Sequence, residues 1–138
     1  MIIRSYRTDD TEAVVALWRE TDLTRPWNDP YRDIERSVAE RPELFLVGSH
    51  NGAVVATAMG GYDGHRGWVY YFAVSPAHRG SGFGRRMMAE LERRLTALGC
   101  PKLNLLVRAD NPDAVGFYEA IGYSPDDSVS LGRRLIEE

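Results

Sequence analysis

The spacing of apolar and polar positions changes several times along the chain, and each change marks an element. Ile2 to Tyr6 reads as a short strand; Thr8-Asp9-Asp10-Thr11-Glu12 then supplies cap residues and an acidic first turn to a helix carrying Val14, Val15, Leu17 and Trp18. Asn28-Asp29-Pro30 caps a second helix, with Tyr31, Ile34 and Val38 on one face and Pro42 as its stop. From Leu44 the pattern turns strand-like. Leu44–Ser49 and Ala53–Met59 flank His50-Asn51-Gly52, an Asn-Gly hairpin signal, and a glycine-rich connection (60–67) leads to the β-prone run Trp68–Val74. After Ser75-Pro76 comes a glycine loop and then a helix with Met87, Met88, Leu91, Leu95 and Leu98 on one face, ended by Gly99. Lys102–Val107 predicts a fifth strand, Asp110-Asn111-Pro112 starts a last helix stopped at Gly122, and the alternation over Ser128–Ile136 predicts a final strand. The pattern as a whole is that of an α+β protein: a mixed, mostly antiparallel sheet flanked by helices, with one βαβ step at the glycine loop.

Length and composition narrow the class. The chain has 138 residues, the size of one domain (1–138), and is 43% hydrophobic and 27% charged, as soluble globular proteins are. A net charge of −3 provides no broad field for nucleic acid, so no nucleic-acid partner is expected. Cys100 is the only cysteine, which excludes an internal disulfide and a cysteine-rich metal cage. Met1–Tyr6 is too soon interrupted by charge to be a signal h-region, and no apolar run approaches a membrane span; a cytoplasmic location with no membrane partner is the expectation.

Chemistry concentrates at the glycine loop Arg79-Gly80-Ser81-Gly82-Phe83-Gly84-Arg85. A strand entering a glycine-dense turn and then a helix presents free backbone N–H groups at the positive end of the helix dipole, an anion site suited to phosphate. Gly80, Gly82 and Gly84 allow close approach, and Arg79 and Arg85 add charge; the bare pattern also fits a simple tight turn. A P-loop is excluded, because the only lysine is Lys102, and the loop follows a meander rather than the first strand of a dinucleotide-binding unit.

The second half supplies a second motif. Arg79–Gly84 followed by Asn111-Pro112-Asp113-Ala114-Val115-Gly116-Phe117-Tyr118-Glu119-Ala120-Ile121-Gly122-Tyr123 resembles the GNAT superfamily of acetyl-CoA-dependent N-acyltransferases, whose strand order is also similar from end to end. Within it the likeness is to bacterial YpeA-type acetyltransferases, through Arg25–Pro30, Gly60–Gly67 and Gly99–Lys102. The resemblance implies a GNAT-like fold with a splayed central CoA site and a transfer of acetyl from acetyl-CoA to a primary amine by direct attack, without a metal. It implies cofactor contacts from Arg79, Gly80, Ser81, Gly82, Phe83, Gly84 and Arg85, from the strand edge at Phe72, Ala73 and Val74, and from Asn111, Phe117 and Tyr118. It also implies that the Tyr118 hydroxyl protonates the departing thiolate; on helical spacing alone Tyr118 reads as an aromatic packing beside Phe117.

The general base is not fixed by the motifs. Members that acetylate ribosomal-protein N-termini carry a Glu where this chain has Leu106, so that activity is not implied. His65 and Asp63, on the loop before the fourth strand, are the alternative, since an imidazole titrates near neutrality; an idle surface histidine is the competing reading. Trp27, Asn28, Asp29 and Tyr31 form a polar-aromatic cluster suited to a cationic amine, or else a capped helix start with Trp27 as a hydrophobic staple. A non-catalytic CoA-binding regulatory module is the alternative function, and the final strand offers an edge for a homodimer.

Overall fold

A computed structural model describes residues 1–138 and divides them into two compact units, Met1–Leu105 and Leu106–Glu138. The first holds a five-stranded sheet in the simple order of the chain: β1 (Ile2–Ser5), β2 (Phe45–His50), β3 (Ala53–Tyr62), β4 (Gly67–Val74) and β5 (Leu103–Leu105). The first four pair antiparallel; β4 and β5 pair parallel, as the βαβ step requires. The hairpin between β2 and β3 turns at Asn51 and Gly52, both at positive φ, as the Asn-Gly signal predicts.

Helices cover both faces. On one side lie α1 (Thr11–Glu20) and α2 (Pro30–Glu40); the Asp29 side chain accepts from the amides of Tyr31 and Arg32, and Pro30 occupies the first turn. Val14, Val15, Leu17 and Trp18 of α1 are buried against Phe45, Val47, Met59 and Ala73, each side chain contributing roughly 1.5–3 kcal/mol by leaving water. On the other face, Met87, Met88, Leu91 and Leu95 of α3 (Phe83–Ala97) are buried, whereas Leu98 is more than a third exposed.

Three sequence expectations are corrected. Gly60, Gly61 and Tyr62, read as loop, extend β3, because they pair with Val69, Trp68 and Gly67. There the missing side chain is itself a packing device: a Cβ on Gly60 would lie 2.5 Å from Leu91 Cδ1 and 2.9 Å from the Leu44 carbonyl oxygen. The fifth strand shortens to Leu103–Leu105. Ser128–Ile136 forms no strand, since alternation becomes a strand only where a neighbouring strand offers a ladder, and this segment has none. Val129, Leu131 and Leu135 are exposed, and the edge expected to support a dimer is not formed. In the second unit α4 (Pro112–Ala120) is capped by the Asn111 side chain, which accepts from the Ala114 amide at 3.3 Å. No helix is long and apolar enough to cross a membrane.

Candidate active site

The glycine loop has the geometry the sequence demands. Pro76–His78 makes one tight turn after β4, Gly80 and Gly82 sit at φ +79° and +82°, and Gly82 is the N-cap of α3. Any other residue at Gly82 is strained there, and glycine has no side chain with which to cap. The first backbone bond of α3 runs from Arg86 N–H to the Gly82 oxygen, so the Phe83, Gly84 and Arg85 amides stand at the helix start without a side-chain cap. A Cβ at Gly80 or Gly82 meets nothing within 4 Å: the loop faces open space. Arg79 and Arg85 are exposed and pair with no carboxylate. Ser81 Oγ donates to the His78 carbonyl, and the His78 ring stacks on Phe83. The product is a donor-rich, cation-flanked turn with the helix dipole behind it, the chemistry of a phosphate site.

Beside this loop β4 parts from its neighbour. The β5 ladder covers Gly67, Trp68 and Val69 and stops there, while β4 continues to Val74. Between Val69 and Val74 the strand also carries a bulge: Thr57 pairs Ala73 and Met59 pairs Tyr70, so Tyr71 and Phe72 together oppose Ala58. Tyr71 takes φ +49°. Ser75 N–H donates to the Val55 oxygen at 2.7 Å, and residues of an antiparallel strand address alternate sides; Ala73 therefore faces β3, and the backbone of Val74 faces the side that β5 has left.

Sequence reasoning missed what holds the bulge. Trp18 Nε1 donates to Thr57 Oγ1 at 2.9 Å and Thr57 Oγ1 donates to the Tyr71 carbonyl at 2.8 Å, while the Trp18 and Tyr71 rings stack at 3.8 Å. Tyr71 Oη donates to Asp33 Oδ2 at 2.6 Å. The one legible sign was Thr57 itself, a lone hydroxyl inside the apolar run 54–59.

The residues expected on the acceptor side take separate parts. Asp29 is the α2 cap, Tyr31 Oη donates to Glu12 at 3.1 Å, and Trp27 is 54% exposed, which removes the staple reading. Asn28 lies beside them in the connection between α1 and α2. Asp63 and His65 share the turn between β3 and β4, but the Asp63 carboxylate accepts from the His65 and Arg66 amides at 2.8 and 2.7 Å. The Arg66 and His65 amides hold that carboxyl below its usual range, so Asp63 builds the turn and His65 is exposed. In the second unit, Tyr118 meets Phe117 and Tyr123 edge to face at 5.1 and 6.0 Å, and burial pushes its hydroxyl up to about 12.

Comparison with known proteins decides the family. The profile described as the Acetyltransferase (GNAT) family matches residues 11–123. An acetyltransferase of Yersinia pestis (strain Pestoides F) is 52% identical over 136 residues, covering 99% of this chain and 96% of that protein. The chain belongs to the GNAT acetyltransferase family. An acetyltransferase of Pectobacterium atrosepticum is 51% identical over 138 residues, covering 100% of this chain and 98% of its own. Among solved structures, Ard1 from Thermoplasma volcanium superposes with a TM-score of 0.80 at 28% identity, over 89% of this chain and 82% of that one. An aminoglycoside N-acetyltransferase in complex with CoA superposes with a TM-score of 0.75 at 16% identity over 98% of this chain and 100% of that one, a likeness of fold. This GNAT protein is therefore an acyltransferase, and the family's acyl donor is acetyl-CoA.

Proposed function

We propose that this GNAT protein, acting as one catalytic domain over residues 1–138, transfers acetyl from acetyl-CoA to a primary amine by direct attack within a ternary complex. The observation that carries the reading is the uncapped start of α3 behind Gly80 and Gly82, lying next in the chain to a β4 segment that β5 does not cover. The diphosphate of CoA takes the amides of Gly80–Arg85, with Arg79 and Arg85 beside it, and the pantetheine arm follows β4 from Phe72 to Val74 as an added strand.

In the chemical step the neutral amine nitrogen attacks the thioester carbonyl carbon. A backbone N–H of the Phe72–Val74 segment receives the developing oxyanion, the carbon–sulfur bond breaks as the C=O re-forms, and the amine's extra proton leaves to a base or to water. Tyr118 donates its hydroxyl proton to the CoA thiolate; burial pushes this phenol up to about 12, so the proton to be given is in place throughout the neutral range. His65, exposed on its turn, is the base we assign, directly or through water, and the Trp27–Tyr31 segment takes the acceptor. We assign Asn111, whose side chain caps α4, and Phe117 of that helix to cofactor binding.

Release of free thiol from acetyl-CoA across polyamines, amino acids, aminoglycosides and peptides tests the reading. Amine-dependent release that drops roughly 10²-fold or more in Tyr118→Phe is expected. Tight CoA binding with no release for any amine would instead leave a CoA-binding regulatory module.

A further inference from the structure

Thr57 is one of only two buried polar residues in the chain, and it is fully buried within β3. Its hydroxyl is used twice, accepting from Trp18 Nε1 at 2.9 Å and donating to the Tyr71 carbonyl at 2.8 Å. A buried hydroxyl must find partners, and the core of a strand offers cheaper ways to fill the space with apolar atoms. The partner chosen here is the residue of β4 in the least favourable backbone conformation: Tyr71 at φ +49°, which L-residues rarely adopt. Such a conformation persists only where its surroundings over-determine it, and three elements do so. Thr57 of β3 holds the carbonyl, Trp18 of α1 stacks on the ring at 3.8 Å, and Asp33 of α2 accepts from the hydroxyl at 2.6 Å. The strain lies within the bulge that turns β4 just before Ala73 and Val74, in the stretch that β5 leaves uncovered.

We propose that Thr57 is a positioning residue for acyl transfer: its hydroxyl fixes the bulge at Tyr71 and thereby the direction of the β4 amide that polarises the thioester carbonyl. The proposal rests on the reading that acetyl-CoA lies along β4. The Trp18–Thr57–Tyr71–Asp33 chain is built on α1, β3, β4 and α2, so loss of the Thr57 hydroxyl is expected to leave the diphosphate grip in place and to disturb the carbonyl end.

The carbon-13 resonance of [1-¹³C]acetyl-CoA bound to the full-length protein, with calorimetric CoA affinity measured alongside, tests this without an acceptor. In the wild type the bound carbonyl is expected downfield of free acetyl-CoA. In Thr57→Val, which keeps the shape and loses both hydrogen bonds, the resonance moves back toward the free position while CoA affinity stays at the wild-type level; Thr57→Ser restores the shift. If valine is not accommodated, Thr57→Ala, which loses the same two hydrogen bonds with a smaller side chain, is expected to move the resonance in the same direction. A downfield wild-type resonance that is unchanged in these variants overturns the role of Thr57. An undisplaced wild-type resonance removes the reading of the β4 amide, and the proposal with it.

Discussion

Gly82 and Tyr118 carry the residue-scale account. Gly82→Ala places a Cβ on a residue at φ +82°, costing roughly 1–2 kcal/mol of backbone strain or displacing the α3 amides; CoA affinity measured by calorimetry is expected to fall about tenfold or more. The Tyr118 hydroxyl, raised by burial to about 12, stays protonated well beyond the pH of about 10 at which a free tyrosine ionises. The sign is fixed by that direction. Rate against pH is expected to show no alkaline loss attributable to Tyr118 up to about pH 10, and loss only as the raised value is approached. His65→Gln, which cannot accept a proton, is expected to lower the rate with amine acceptors roughly 10²-fold. At this scale the sequence was legible wherever a motif fixed a backbone: Gly80, Gly82 and the Asn111 cap stand as read. The two amide bonds that Asp63 accepts within its own turn were not, because a carboxylate that closes a turn and one that faces a ligand look alike in sequence.

At the scale of elements, stability rests on close approach and on a part-buried ion pair. Gly60→Ala sets a Cβ 2.9 Å from the Leu44 carbonyl oxygen, a backbone atom that cannot turn aside, and is expected to cost roughly 1–3 kcal/mol in denaturant unfolding. Asp10 accepts from Arg4 at 2.7 and 2.9 Å and from the Arg7 amide at 2.8 Å. The Arg4 guanidinium, first among the causes, lowers the Asp10 carboxyl below its usual range. A lowered carboxylate contributes stability above its unfolded value and loses it as pH falls, so wild-type stability should decline below about pH 4, and Asp10→Ala should cost roughly 2–3 kcal/mol at neutral pH and flatten that decline. Element type was legible for every helix and for five strands, since period and caps agree there. The extension of β3 through Gly60-Gly61-Tyr62 and the absence of a strand at Ser128–Ile136 were not: both depend on whether a neighbouring strand stands in register, which no local pattern records.

At the scale of the whole molecule, a net charge of −3 is combined with unpaired arginines beside one helix start, so anion binding is local rather than spread over a face. Salt should accordingly weaken CoA binding modestly, without the steep dependence of a nucleic-acid binder. The paired motifs made the family legible at this scale, whereas the bulge at Tyr71 and the side chains that hold it come from β3, α1 and α2 and meet only when the sheet is formed. The central claim is that backbone amides at the start of α3 bind the diphosphate of the acyl donor. Calorimetric titration of CoA into the wild type and into Gly82→Val tests it most directly: saturable one-to-one binding by the wild type that is lost in the variant is the predicted result, and no binding by the wild type, or equal binding by both, would contradict it.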